Sequence, residues 1–302
     1  MKKFLLVPLL WLAACDTVQT GALRAWMATN DNLQVADGAV LYEARGERVW
    51  VRAVVEDLDF PWDMAFVTER RILVTEKPGN LYLIDLDSGE RQPIGGVPEV
   101  AYRSQGGLLG IALHPGFTDN QLLYLAYAAA TGDGQRSTRL LRARLEGTQL
   151  VDSQVLFTAE PSLGTAKHYG GALVFDRDGY LYLSVGDRGR RHNAQDLSGH
   201  LGKILRFTDS GEVPADNPFV GRPGARPEIY SWGHRNPQGL AIHPGTGELW
   251  AAEHGPQGGD EVNRVRAGAN YGWPVITYGE EYGGGKIGEG VAKDGLEQPV
   301  HY

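Results

Sequence analysis

Short runs of alternating apolar and polar residues, each closed by a glycine-rich turn, recur along most of this chain. Residues 173–175 and 180–185 are two such runs, separated by Asp176-Arg177-Asp178-Gly179. An Asp-Gly turn between alternating runs predicts an antiparallel hairpin, because glycine accepts the positive φ that a tight turn demands. Three more stretches carry the same signal. Residues 61–66, 71–76 and 81–85 predict three strands, with Gly79-Asn80 as the second turn. Residues 105–115 pair with 122–127 and are followed by a strand at 138–145; residues 237–244 pair with 247–253.

The four units are spaced like repeats. Ala65, Ala112, Val174 and Ala241 hold equivalent places and stand 47, 62 and 67 residues apart. Units of that length, each a small antiparallel sheet, predict the blades of a β-propeller. A sandwich also supplies many short strands, but it does not call for a similar opening at every step. Blades pack around an axis, so their inner strands carry residues distant in sequence to one central mouth.

Composition supports an all-β chain. The 302 residues contain 41 glycines and only three methionines, which favours turns and sheets, and the 42% hydrophobic content is ample for a core. A net charge of −8 argues against a nucleic-acid binder, which needs a basic face to replace phosphate counterions. Cys15 is the only cysteine, so no intrachain disulfide forms. Lys2 and Lys3, an apolar run from residue 4 to 12 and then Ala13-Ala14-Cys15 have the parts of a secretory signal. Leu-Ala-Ala-Cys looks like a bacterial lipoprotein processing site, so residues 1–15 are read as a signal and Cys15 as a lipid anchor, with a plain cleaved signal as the alternative; either places the protein in the periplasm or cell envelope. Residues 16–47 read as a tether with a leading strand, and residues 48–302 as the propeller.

The reactive residue types cluster where units begin or end. Lys167-His168-Tyr169-Gly170-Gly171 places an imidazole directly before a hairpin, and an unperturbed imidazole, titrating near pH ~6.5, suits proton transfer. Gly233-His234-Arg235-Asn236-Pro237 sets a guanidinium and a carboxamide ahead of an inner strand. Glu253-His254-Gly255-Pro256, then Asp260-Glu261, then Asn270-Tyr271-Gly272-Trp273-Pro274 combine carboxylates with exposed carbonyls. That combination suits calcium, and equally a solvated acidic turn.

Together with Gln105-Gly106-Gly107-Leu108-Leu109-Gly110, these motifs occur in the order found in soluble quinoprotein sugar dehydrogenases. The chain most resembles their aldose branch, the glucose/sorbosone dehydrogenase family, from about residue 49 to Tyr302. The resemblance implies a six-bladed propeller that holds pyrroloquinoline quinone and Ca2+, oxidises the anomeric hydroxyl of an aldose to a lactone, and passes electrons to an external acceptor. It implies His168 as general base and Arg235 as the group facing charge on the reduced cofactor. Gln105, Arg235, Asn236 and His254 fall at cofactor-binding positions. The carbonyls of Gly255 and Pro256 match one calcium site; Glu261 and the carbonyl of Tyr271 match a second. His114, His234 and His243 read as structural.

Two departures bear on substrate choice: Lys167 stands where the glucose dehydrogenase branch carries an acid, and His254 stands where that branch has glutamine. The family continues past the position of Tyr302, so about five blades are expected here, in an open ring. Two other readings use the same scaffold. A calcium-dependent lactonase would need several side-chain carboxylates around a central metal, and a non-catalytic interaction propeller would need neither quinone nor calcium.

Overall fold

The computed structural model describes residues 35–36, 39–44 and 47–302; Cys15 and the expected signal lie outside them. The chain divides into two units, residues 1–56 and 57–302. In the first, β1 (Val35–Ala36), β2 (Ala39–Ala44) and β3 (Glu47–Arg52) form an antiparallel three-stranded sheet, so a hairpin crosses the boundary expected at residue 48.

The second unit is four consecutive antiparallel sheets, each a simple meander. The first holds β4 (Pro61–Thr68), β5 (Arg71–Glu76), β6 (Asn80–Asp85) and β7 (Arg91–Pro93). The second holds β8 (Leu108–Leu113), β9 (Leu122–Gly132), β10 (Gln135–Glu146) and β11 (Gln149–Thr158). The third holds β12 (Leu173–Phe175), β13 (Leu181–Val185), β14 (Lys203–Phe207) and β15 (Ile229–Trp232). The fourth holds β16 (Pro237–Ile242), β17 (Leu249–Glu253) and β18 (Glu261–Val265). These are four blades of a β-propeller; the described residues build one fewer than the five expected from length.

The cores lie between blades. Leu73 and Leu81 of the first blade pack with Leu108, Leu125 and Leu145 of the second. Tyr124 and Leu140 of the second pack with Leu183 and Phe207 of the third. Tyr182 and Ile204 of the third pack with Leu249 and Ala251 of the fourth. Alternation along each strand makes this possible, because successive side chains face opposite neighbours. On β4, Ala65 and Val67 join the first core while Met64 and Phe66, on the other face, are exposed.

Polar links hold the inner strands side by side. Thr75 Oγ1 donates to the Leu109 carbonyl at 2.7 Å, and the Ile111 N–H donates to Asp63 Oδ2 at 3.0 Å, joining blades one and two. The Gly110 N–H reaches the Gly171 carbonyl at 3.0 Å, and Ser184 Oγ reaches the Pro237 carbonyl at 2.8 Å, joining two to three and three to four. The chain therefore enters or leaves each inner strand at one end of the unit, and there the loops that carry the motifs meet.

Candidate active site

The loop after β11 delivers His168 with φ +56°, in the left-handed region that non-glycine residues rarely occupy. Its backbone is held from three sides. The His168 N–H donates to Gln105 Oε1 at 2.7 Å, its carbonyl accepts from the Arg188 N–H at 3.3 Å, and the Gly170 N–H donates to Asn236 Oδ1 at 3.1 Å. Glycine is required beside it: a Cβ on Gly186 would lie 2.3 Å from the His168 carbonyl oxygen and 2.8 Å from Asn236 Oδ1.

The imidazole Nδ1 lies 2.7 Å from Asp187 Oδ1, and Asp187 is almost fully buried. The same carboxylate accepts the Gly189 N–H at 2.7 Å on Oδ1 and the indole N–H of Trp273 at 2.8 Å on Oδ2. An ionised carboxylate only accepts, so the shared proton belongs on Nδ1. That leaves Nε2 with its lone pair free, and Nε2 has no partner among the described residues.

Arg235 is 6% exposed and enters from the loop before β16. Its Nη1 donates to the His254 carbonyl at 3.1 Å and its Nη2 to the Tyr282 hydroxyl at 3.1 Å, with the guanidinium 5.5 Å from the Trp273 ring centre. Its carbonyl accepts the Asp187 N–H at 2.8 Å. His168 and Arg235, distant in sequence, are thus joined through Asp187 and Trp273. Gln105 and Asn236 spend their side-chain oxygens on the His168 loop, so their NH2 groups keep no protein partner among the described residues. His254 is more exposed, with Nδ1 3.7 Å from Asp260 Oδ2.

Arg235, His254, Gly255, Glu261 and Trp273 line one small pocket together with Glu253. Two carboxylates approach each other there. Asn263 Nδ2 donates to Glu253 Oε1 and to Glu261 Oε2, each at 3.1 Å, and these bonds fix the amide so that its Oδ1, buried, has no donor. Burial, then the charge of Glu253, pushes the Glu261 carboxyl up to about 8. Among the described residues no donor reaches the carbonyls of Gly255, Pro256 or Tyr271. A buried carboxylate, an orphaned amide oxygen and spare carbonyls are oxygen donors of the kind calcium takes. The wider cleft, about 520 Å3 and lined by Gln135, Asn193, Asp196 and Arg226, holds none of the residues singled out in the sequence.

His234 is structural, as expected: Nδ1 meets Glu253 Oε1 at 2.8 Å, Nε2 meets Ser231 Oγ at 2.9 Å, and the ring stacks on Tyr271. Sequence reasoning gave no role to Asp187, Tyr282 or Trp273, although Trp273 stands in the 270–274 motif. Asp187 lay in the Val185-Gly186-Asp187 exit of a predicted hairpin, a signal that an acid two residues past a buried strand faces the mouth.

Residues 58–302 match the glucose/sorbosone dehydrogenase family. The chain is 43% identical over 257 residues to aldose sugar dehydrogenase YliI of Escherichia coli, covering 83% of this chain and 69% of that protein. It superposes on the apo crystal structure of soluble aldose sugar dehydrogenase from Escherichia coli with TM-score 0.80 and 42% identity, covering 82% of this chain and 73% of that one. The PQQ-bound aldose sugar dehydrogenase of Streptomyces coelicolor gives TM-score 0.69 and 33% identity, covering 83% of this chain and 70% of that one.

Proposed function

The chain belongs to the glucose/sorbosone dehydrogenase family, and from that premise we propose that it oxidises the anomeric hydroxyl of aldose sugars to lactones with pyrroloquinoline quinone and Ca2+. The observation that carries the reading is the His168–Asp187 pair beside Arg235, with the free amide donors of Gln105 and Asn236 at the same mouth. Held by Gln105, Arg235 and Asn236, pyrroloquinoline quinone would supply an acceptor for the hydride from the sugar's C1. His168 Nε2 takes the proton of the anomeric hydroxyl in the same event, and Asp187 stabilises the imidazolium that forms. The oxygen on C1 then becomes the lactone carbonyl, so proton and hydride are both accounted for.

The residues fit a planar tricarboxylate with polarised carbonyls. Gln105 and Asn236 offer unpaired N–H donors, and Arg235 retains N–H groups beyond its two protein bonds, the arrangement expected where negative charge must be met. His254 stands at the rim, where its exposed ring can pack on a bound ligand. Ca2+ would be held by the carbonyls of Gly255 and Pro256, and a second ion by Glu261 and the Tyr271 carbonyl. It would fix the cofactor's orientation and neutralise charge at the acidic pair. The final electron acceptor is external to the chain.

Reduction of an artificial dye by the protein given quinone, Ca2+ and an aldose tests the reading. Replacing His168 by Ala should abolish turnover and leave quinone binding largely intact. Full turnover in that variant would refute the base assignment, and lactone hydrolysis without quinone would favour a hydrolase.

A further inference from the structure

The base is oriented by a side chain from a different part of the fold, 86 residues from Asp187 in sequence. We propose that Trp273 is a positioning residue for proton removal: its indole N–H anchors Asp187 Oδ2, so that Asp187 Oδ1 holds His168 in the tautomer whose Nε2 is free. This inference rests on His168 being the base.

The geometry is closed on every side. Asp187 Oδ1 already serves the Gly189 N–H and His168 Nδ1, whereas Oδ2 has the indole as its one donor among the described residues. Without that donor the buried carboxylate would keep one unsatisfied oxygen, and a turn of the carboxylate away from the imidazole to satisfy it would leave Nδ1 without its acceptor and free the ring to take either tautomer. Trp273 is itself held firmly. Its backbone N–H donates to the Gly233 carbonyl at 2.9 Å, and its carbonyl accepts Gln195 Nε2 at 2.8 Å. The guanidinium groups of Arg235 and Arg191 lie 5.5 and 5.7 Å from its ring centre. Packing alone would be met by any large ring; only indole combines this ring with a donor that cannot also accept. The same residue therefore aligns the base and stands beside Arg235, which ties proton removal to the place where charge develops.

The test uses histidine-ring 1H–15N spectra of the quinone-free protein at alkaline pH, together with steady-state kinetics of the loaded enzyme. Wild type should show His168 as the Nδ1–H tautomer. Trp273→Phe, which keeps a ring and deletes the donor, should show a mixture with Nε2–H, and its kcat should fall about tenfold with KM little changed. If Trp273→Phe does not fold, the benzothienyl isostere at position 273, with sulfur in place of N–H, gives the same reading. An unchanged Nδ1–H tautomer in the donor-less protein overturns the proposal even where kcat falls. A tautomer shift in a protein that oxidises no aldose would leave the positioning intact and sink the reaction reading instead.

Discussion

His168 keeps a left-handed backbone that costs an L-residue roughly 1 kcal/mol or more. His168→Gly should therefore be more stable than His168→Ala by about 1 kcal/mol, read by denaturant unfolding, although both lack activity. Asp187→Asn should lower kcat by about 10²–10⁴-fold with a small effect on KM, since the amide favours the wrong tautomer. Lys203 gives a pH signature away from the chemistry. Its ammonium is buried on three carbonyls, those of Asn193, Ala194 and Leu201, and burial pulls it down to about 7. The unfolded lysine titrates near ~10.4, so between these values the unfolded chain binds the extra proton and stability rises with pH. Lys203→Met should lose about 3 kcal/mol through the orphaned carbonyls, and its deficit against wild type should widen from pH 7 towards 10. At this scale His168 and Arg235 stood out in the sequence because short motifs surround them. Asp187 and Trp273 did not, because an acid and an indole gain meaning only from the partner that the fold brings.

Strands were legible where turn residues bracket an apolar run unbroken by charge, even where both faces are covered, as on β13. The hairpin of β12 and β13 follows its alternation and its Asp-Gly turn, with Val174 opposite Tyr182. β14, buried along its whole length, escaped because Lys203 and Arg206 interrupt its apolar run with charges. β11 escaped as a polar outer strand with residues 152–155 exposed. Between elements, β8 approaches the His168 loop closely. A Cβ on Gly110 would fall 2.2 Å from the Gly171 carbonyl oxygen. Gly110→Ala should then destabilise the protein by about 1–3 kcal/mol and lower activity as well, because the displaced backbone leads directly to His168. Thermal unfolding and dye reduction on the same sample check both.

Across the four blades, the repeat spacing announced a propeller, yet the join between His168 and Arg235 depends on two residues that the repeats do not mark. The acidic pair works at the same scale, since Glu253 ends β17 and Glu261 begins β18, and Asn263 bridges them. Chelation of Ca2+ should lower the unfolding midpoint, and free Ca2+ at a hundred times its Kd should restore about 2.7 kcal/mol. Calorimetry with and without chelator measures it, and an unchanged midpoint would remove the metal assignment. The most direct measurement is a single-turnover experiment: protein loaded with quinone and Ca2+ is mixed with an aldose carrying deuterium at C1, and the cofactor spectrum is followed. The account predicts reduction that is slowed by the deuterium and absent from His168→Ala. A spectrum that does not change with aldose, or reduction at an equal rate in His168→Ala, would contradict it.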